Sequence, residues 1–260
     1  MKSIDPAALD QVPGRRIGSG DTFFFRCYPG ISCFNMCCRN LNLFLYPYDV
    51  MRLKNGLNMS SGEFLDRHTD VVLREGQYFP EVLLKMADNE AHTCPFVSGA
   101  GCTVYENRPD TCRFFPLDQG MLFPESGGAP EKLYWYRPFD FCQGRHERDE
   151  WTLDTWADDQ DTRRYSRMTA DWAELRGLFQ SNPWGPDGPM ERAGKMAFMA
   201  AYNVDAFREF VFGSSFLKRY HIKPAIKKKL KKNDADLLAM GLEWIRFFLF
   251  KRPPSLFRQK

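Results

Sequence analysis

Four of the chain's eight cysteines fall within twelve residues, Cys27, Cys33, Cys37 and Cys38. Cys94, Cys102 and Cys112 form a second group, and Cys142 follows at a distance. Thiolates are the strongest soft ligands and nucleophiles a protein owns, so such crowding points to metal ligation or redox chemistry. The start of the chain has no apolar stretch preceded by basic residues, so no secretory leader is predicted. In a reducing compartment clustered cysteines read as metal ligands rather than as a disulfide framework. The spacings are C-x5-C-x3-C-C and C-x7-C-x9-C. Neither contains the C-x2-C knuckle of zinc ribbons, and neither matches a bacterial ferredoxin run. The expected metal ligands are therefore Cys27, Cys33, Cys37, Cys38, Cys94, Cys102, Cys112 and Cys142, with the metal left open between an iron–sulfur cluster and zinc.

The neighbours of these cysteines suit a shielded centre. Pro95 follows Cys94 and offers no backbone donor, while Phe96, Phe114 and Phe115 are placed to keep water out. Arg39, Arg108 and Arg113 adjoin the cysteines and would offset thiolate charge, helping the thiols stay ionised. The competing reading, in which these arginines are solvated or pair with Glu106 and Asp110, stays open. The absent knuckles, Cys94-Pro95, the aromatic residues and the arginines lean towards iron–sulfur. Zinc tolerates irregular spacing and remains the alternative. His92 and His146 lie near Cys94 and Cys142 and are candidates to complete a mixed site, although a lone histidine is more often a surface or hydrogen-bonded residue.

The segments Cys33…Cys37-Cys38, Cys94-Pro95-Phe96 and Cys102-Thr-Val-Tyr105-Glu-Asn-Arg108-Pro109-Asp-Thr-Cys112-Arg113-Phe-Phe-Pro116 resemble the CxxCxxCC-type, YkgJ-like cysteine-cluster proteins. The resemblance covers about residues 22–145, and the second cysteine block is its most specific part. It implies a zinc- or iron-chelating domain. The family writes C-x2-C-x2-CC where this chain has gaps of five and three residues. Flagellin lysine methylases are similar in carrying a related cysteine cluster. The helical region from about 150 to 252 is similar to extensions in a subset of the family.

The elements that must position these residues can be read from pattern. Residues 1–21 read as a flexible N-terminal arm, 22–149 as the cysteine-cluster domain, and 150–260 as a helical C-terminal region. The expected fold class is α+β, a small cysteine-rich region of short strands and helices followed by an all-helical body. Residues 22–26 are β-prone and deliver the chain to Cys27. Helices are expected at 49–57 with Asp49 as cap, from Ser60 to about His68 through a capping box, and at 80–88. Short aromatic strands are expected at 113–117, 121–123 and 133–137. Tyr165, Met168, Trp172, Leu175 and Phe179 recur at helical spacing as one apolar stripe that stops at 181–186. Further helices are expected at 190–201, at 204–212 behind Asn203, and at 235–250 behind Asn233 or Asp234.

Composition excludes several function classes. The hydrophobic share of 43% and charged share of 27% are those of an ordinary globular protein. A net charge of +3 is too small to argue for nucleic acid. The lysine run at 223–232 lacks interleaved aromatics and reads as a solvated helix face. Residues 52–66 resemble a helix-turn-helix, but Glu63 and Asp66 would face phosphates, so a plain helical hairpin is favoured. No transmembrane segment is predicted, and the expected location is cytoplasmic. No Walker loop, dinucleotide fingerprint or H-E-x-x-H helix is present. The expectation is a metal-binding protein of undefined downstream activity. The alternatives are a redox or protein-modifying enzyme using the centre, or an adaptor that binds a protein partner around a structural metal.

Overall fold

The computed structural model describes residues 2–123 and 130–260; Met1 of the expected arm lies outside them. The chain divides into two compact units, Met1–Leu43 with Lys85–Ala173, and Phe44–Leu84 with Glu174–Lys260. All eight cysteines belong to the first. Strands and helices mix throughout, so the fold is α+β, and from Leu153 on the described residues are helical apart from the paired two-residue strands Tyr220–His221 and Arg258–Gln259.

The first unit is built on a four-stranded sheet in the order Lys2–Ile4, Leu117–Leu122, Glu131–Tyr136, Arg15–Ile17. The outer pair Lys2–Ile4 and Leu117–Leu122 is parallel, and the others are antiparallel. Residues 2–17, which read as an arm in sequence, thus supply both edge strands. Beside the sheet, Thr22–Phe24 pairs with Glu150–Thr152, and Trp151 Nε1 donates to the Phe25 carbonyl at 2.8 Å. Phe23, Phe25, Ile31, Phe114, Leu117 and Trp156 form the adjoining core, together with Cys33 and Cys142. Two of the candidate ligands are therefore core residues as well.

The second unit begins on a three-stranded antiparallel sheet, Phe44–Leu45, Glu81–Leu84, Thr69–Val72. The helix expected at 80–88 is a strand instead. Glu81, Val82 and Leu84 are all buried, and a run pairing on both sides has no solvent face to give a helical period. The expected helix at 49–57 starts earlier, at Pro47, and ends at Gly56. Proline is pre-set for a first helical turn, which moves Asp49 to the third position, where its carboxylate accepts the Tyr46 N–H at 2.9 Å. Ser60 caps Ser61–His68 by accepting the Glu63 N–H. Asn203 and Asn233 cap Val204–Gly213 and Asp234–Phe250. In the first unit, Arg113 lies in the helix Asp110–Phe114, entered through Pro109, rather than in a strand, and a single strand spans Leu117–Leu122.

The helix Arg163–Phe179 carries the expected stripe: Tyr165, Trp172, Leu175 and Phe179 are buried, with Met168 half-buried. Phe179 stacks on Phe79 with centroids 4.4 Å apart. Phe207 packs on Trp244, and the Gly241 Cα lies so close to Ala200 that a Cβ there would sit 2.3 Å from its carbonyl oxygen. Buried Lys54 bridges Asp205 and Asp234, at 3.2 and 2.8 Å. Asp205 also accepts the Ser61 N–H at 2.7 Å and hydroxyl at 2.9 Å. Burial alone would raise the Asp205 carboxyl, but Ser61 and Lys54 outweigh it and hold it below the ordinary carboxylate range.

Two predictions follow from this packing. Gly144 has no room for a side chain: a Cβ would lie 2.6 Å from the Arg26 carbonyl oxygen and 2.9 Å from the Phe25 ring. Gly144→Ala should cost about 1–3 kcal/mol in urea unfolding; an unchanged midpoint would refute the close approach. Asp205 is more acidic folded than unfolded, so its stabilisation is present above its unfolded pKa of about 3.9 and lost as pH falls through the lower folded value. Asp205→Asn should therefore lower the urea midpoint clearly at pH 7 and much less at pH 2. An equal loss at both would show that the carboxylate charge is not what matters.

Candidate metal centre

Each cysteine is set by its own local turn. Cys27 follows Thr22–Phe24, and the preceding Arg26 N–H donates to the Gly144 carbonyl at 3.1 Å. Between Tyr28 and Met36 the chain turns on the hydrogen bonds Ile31 N to Tyr28 O, Phe34 N to Ile31 O and Met36 N to Cys33 O. That coil buries Cys33, whose Sγ accepts the Gln143 N–H at 3.2 Å. Asn35 then adopts a left-handed φ of 64°, tolerable for asparagine, and its amide donates to the Ser98 carbonyl at 3.0 Å. This reversal starts the short 3₁₀ turn Met36–Cys38 that carries Cys37 and Cys38.

The second group is tied to the first through the backbone. The Cys94 N–H donates to the Cys38 carbonyl at 2.8 Å, beside a bridge between Arg39 and Thr93. The Cys94 carbonyl accepts the Val97 N–H, opening the hairpin Val97–Ser98 and Gly101–Cys102, in which Cys102 faces Val97. Cys112 lies in the helix Asp110–Phe114. Buried Cys142 donates its N–H to Phe139 O and leads into the 3₁₀ turn Gln143–His146.

These turns put the sulfurs within one another's electrostatic reach. Cys27 senses Cys33, Cys142 and Cys38; Cys37 senses Cys38, Cys27 and Cys112; Cys94 senses Cys38 and Cys102. Side-chain hydrogen bonds join Cys37 to Cys38 and Cys33 to Cys142. In the adjacent pair the Cys37 thiol donates to Cys38, which lowers Cys38 to about 7 and raises Cys37 strongly, so the two effectively share a proton. Burial pushes Cys94 up to about 11 against the Phe96 N–H that favours its thiolate. Burial also raises Cys102 and Cys142, opposed by backbone N–H groups of Val104, and of Gly144 and Arg145. Cys27 is raised by the protein packed around it, although its surface is open to solvent.

Buried Arg108 is the cation of the site. Its guanidinium is within electrostatic reach of Cys112 and Cys102 and lowers the Cys102 thiol. It is held over the Tyr105 ring at 3.6 Å, donates to Tyr105 O at 2.8 Å, and donates to the Gln160 side chain. Arg113 is occupied elsewhere, on Gln160 O at 2.6 Å, Glu106 O at 2.9 Å and the face of Tyr165. Arg39 is exposed. Phe96 and Phe114 are buried as expected, and Phe115 continues outward as a stack with Phe139 and Phe141. His92 sits exposed in a turn at φ 42°, and the exposed His146 accepts a hydrogen bond from Arg145 Nε.

Sequence reasoning did not find Gln160, Gln143 or Gly144, and found Tyr165 only as part of the apolar stripe. Gln143 and Gly144 meet the cysteine loops, and Gln160 and Tyr165 their arginines, only through the fold. Among the described residues, no three His, Cys, Asp or Glu side chains already stand as a metal-binding group. Four of the eight thiols are instead hydrogen-bonded in pairs, Cys37 with Cys38 and Cys33 with Cys142, so a metal would require side-chain rotation within the neighbourhood. In chemistry the donor set fits: clustered sulfurs, several backbone N–H groups that favour thiolate, and a buried guanidinium suit a thiophilic cation or cluster. Among the described residues, no helix is long and apolar enough to cross a membrane.

No curated protein and no solved structure matches the chain. A family model does match, that of CxxCxxCC, described as a "putative zinc- or iron-chelating domain", over residues 26–143. That stretch is less than half of the chain but contains all eight cysteines, and it is in this cysteine-bearing part that the chain is similar to the CxxCxxCC family.

Proposed function

We propose that this protein binds metal through Cys27, Cys33, Cys37, Cys38, Cys94, Cys102, Cys112 and Cys142, holding zinc or an iron–sulfur centre in the cytoplasm. In this reading residues 22–149 are the metal-binding region, residues 1–21 precede it and add edge strands to its sheet, and 150–260 are the helical region that accompanies it. The observation that supports it is that eight cysteines, from separate stretches of one unit, form a connected set in which each sulfur senses or is hydrogen-bonded to at least one other. Most of these thiols are raised by burial, and several by one another's charge, so ionising them together needs a cation among them. Zinc would serve as a closed tetrathiolate cross-link, whereas an iron–sulfur cluster would supply one-electron chemistry. The N–H donors at sulfur and the buried Arg108 favour either, because both centres carry net negative charge.

Purification without oxygen, followed by assays for zinc, iron and acid-labile sulfide, tests this reading. Iron with sulfide and a visible absorption that bleaches on reduction identifies a cluster; stoichiometric zinc in a colourless protein identifies the other metal. Cys37→Ser, Cys38→Ser and Cys112→Ser should each lower bound metal at least twofold. A folded wild-type chain without sulfur-bound metal under these conditions would falsify the proposal.

A further inference from the structure

The basic residues of the second unit are gathered rather than dispersed. Between residues 210 and 233, and again from 244 to 260, there are thirteen Lys and Arg and no Asp or Glu. The whole chain has a net charge of only +3, so the remainder is net acidic. Of the acidic residues that bound these stretches, Asp234 is held by Lys54 and Arg208, and Glu243 by the backbone N–H groups of Ser255 and Leu256.

The lysine run reads by itself as a solvated helix face, and the fold sets a second basic strip beside it. The helix Pro224–Lys232 buries Leu230 and half-buries Ile226, which leaves Lys228, Lys231 and Lys232, three and four residues apart, exposed together. Just before this helix, Tyr220–His221 pairs antiparallel with Arg258–Gln259, so that His221 stands opposite Arg258. The Lys260 N–H continues the pairing to Arg219 O at 3.0 Å. Tyr220 packs on Phe216 and Phe257, and Ile222 is buried, while Arg219, His221, Lys223, Arg258 and Lys260 are all exposed. Lys223 caps the helix, so the strip and the helix face join without a break.

Like charges three or four apart on a helix, or facing each other across paired strands, destabilise the fold that carries them. A polyanion laid on this surface would offset that repulsion. The side chains also say which polyanion. Lysines outnumber arginines in the two stretches by nine to four. A lysine is a hydrated point charge suited to a diffuse layer of headgroups, whereas nucleic-acid phosphates favour the planar fork of arginine. Among the described residues, no large hydrophobic side chain beyond Met190 is exposed. The surface therefore offers no ring for a base to stack on and no anchor to insert into lipid.

We propose that this surface docks the protein on an anionic phospholipid bilayer, with Arg219, Lys223, Lys228, Lys231, Lys232 and Arg258 against the headgroups and nothing inserted. The attraction is that of exposed charges, so it is screened by salt. It is independent of the thiolate reading, because no cysteine lies in the second unit.

Co-sedimentation of the full chain with vesicles tests this. Phosphatidylcholine vesicles containing about one quarter phosphatidylserine should carry the protein down, and pure phosphatidylcholine vesicles should not. About 0.5 M salt should release it. Lys228→Glu/Lys232→Glu should weaken binding about tenfold, and Arg258→Glu, on the strand pair, about threefold. The three side chains are exposed, and circular dichroism should show the fold retained. The double variant Arg192→Glu/Lys195→Glu makes the same charge change at exposed positions of the helix Arg192–Tyr202 and should lose less than about twofold. Bound metal should be unchanged in every variant, so a failure here would not touch the thiolate reading. No binding to the phosphatidylserine vesicles, equal binding to pure phosphatidylcholine, or equal losses from the two double variants would overturn the proposal. So would a duplex DNA that, at equal phosphate concentration, holds the chain more tightly than the vesicles do.

Discussion

Sulfur atoms crowded together and partly withdrawn from water cannot all carry charge unless something positive shares the space. Cys27, Cys94, Cys102 and Cys142 resist ionisation for want of solvent, and neighbouring thiolates make the protons of Cys27, Cys37 and Cys94 harder still to remove. The protein answers in three ways. Backbone N–H groups point at Cys33, Cys94, Cys102 and Cys142; Cys37 and Cys38 share a proton; and buried Arg108 lies within electrostatic reach of two of the sulfurs. None of these neutralises the whole group. A metal does, which is why the electrostatics of the thiols, rather than their spacing, is the strongest argument for one.

Burying Arg108 has its own cost, and the surroundings show how it is met. A guanidinium out of water needs its donors used, and Arg108 spends them on the Tyr105 carbonyl and the Gln160 side chain while resting on the Tyr105 ring. Gln160 in turn has its carbonyl taken by Arg113, whose guanidinium lies over Tyr165. The residues between Asp159 and Tyr165 therefore support the cysteine region although they lie outside the matched family segment. A truncation at the family boundary would take Gln160 from both buried cations and Tyr165 from Arg113.

The legible part of this arrangement was what short sequence windows encode. The cysteines, the flanking arginines and aromatics, the capping residues Ser60, Asn203 and Asn233, and the stripe from Tyr165 to Phe179 each announce themselves by type and spacing. What was not legible depends on partners distant in sequence. Glu81–Leu84 reads as a helix because four mostly apolar residues carry no period; only its two flanking strands make it a strand. Residues 2–17 look like a polar arm until Leu117–Leu122 and Glu131–Tyr136 offer edges for them to join. Gly144 looks like any loop glycine, and only the Arg26 carbonyl pressed against it shows why a side chain is excluded.

The scaffold also bears on how far metal and folding depend on one another. Small zinc domains have little core and are unfolded without their ion. Here the turns that collect the cysteines are closed by main-chain hydrogen bonds, and the neighbouring core of Phe23, Phe25, Phe114 and Trp156 is independent of any ligand. Cys33 and Cys142, however, sit inside that core, so changing either removes packing as well as a sulfur. Exposed Cys27 carries only the ligand part, and half-buried Cys94 and Cys102 lie between. Position by position, the sulfurs divide into those that pack in the core, Cys33 and Cys142, and those, led by exposed Cys27, that add little to it.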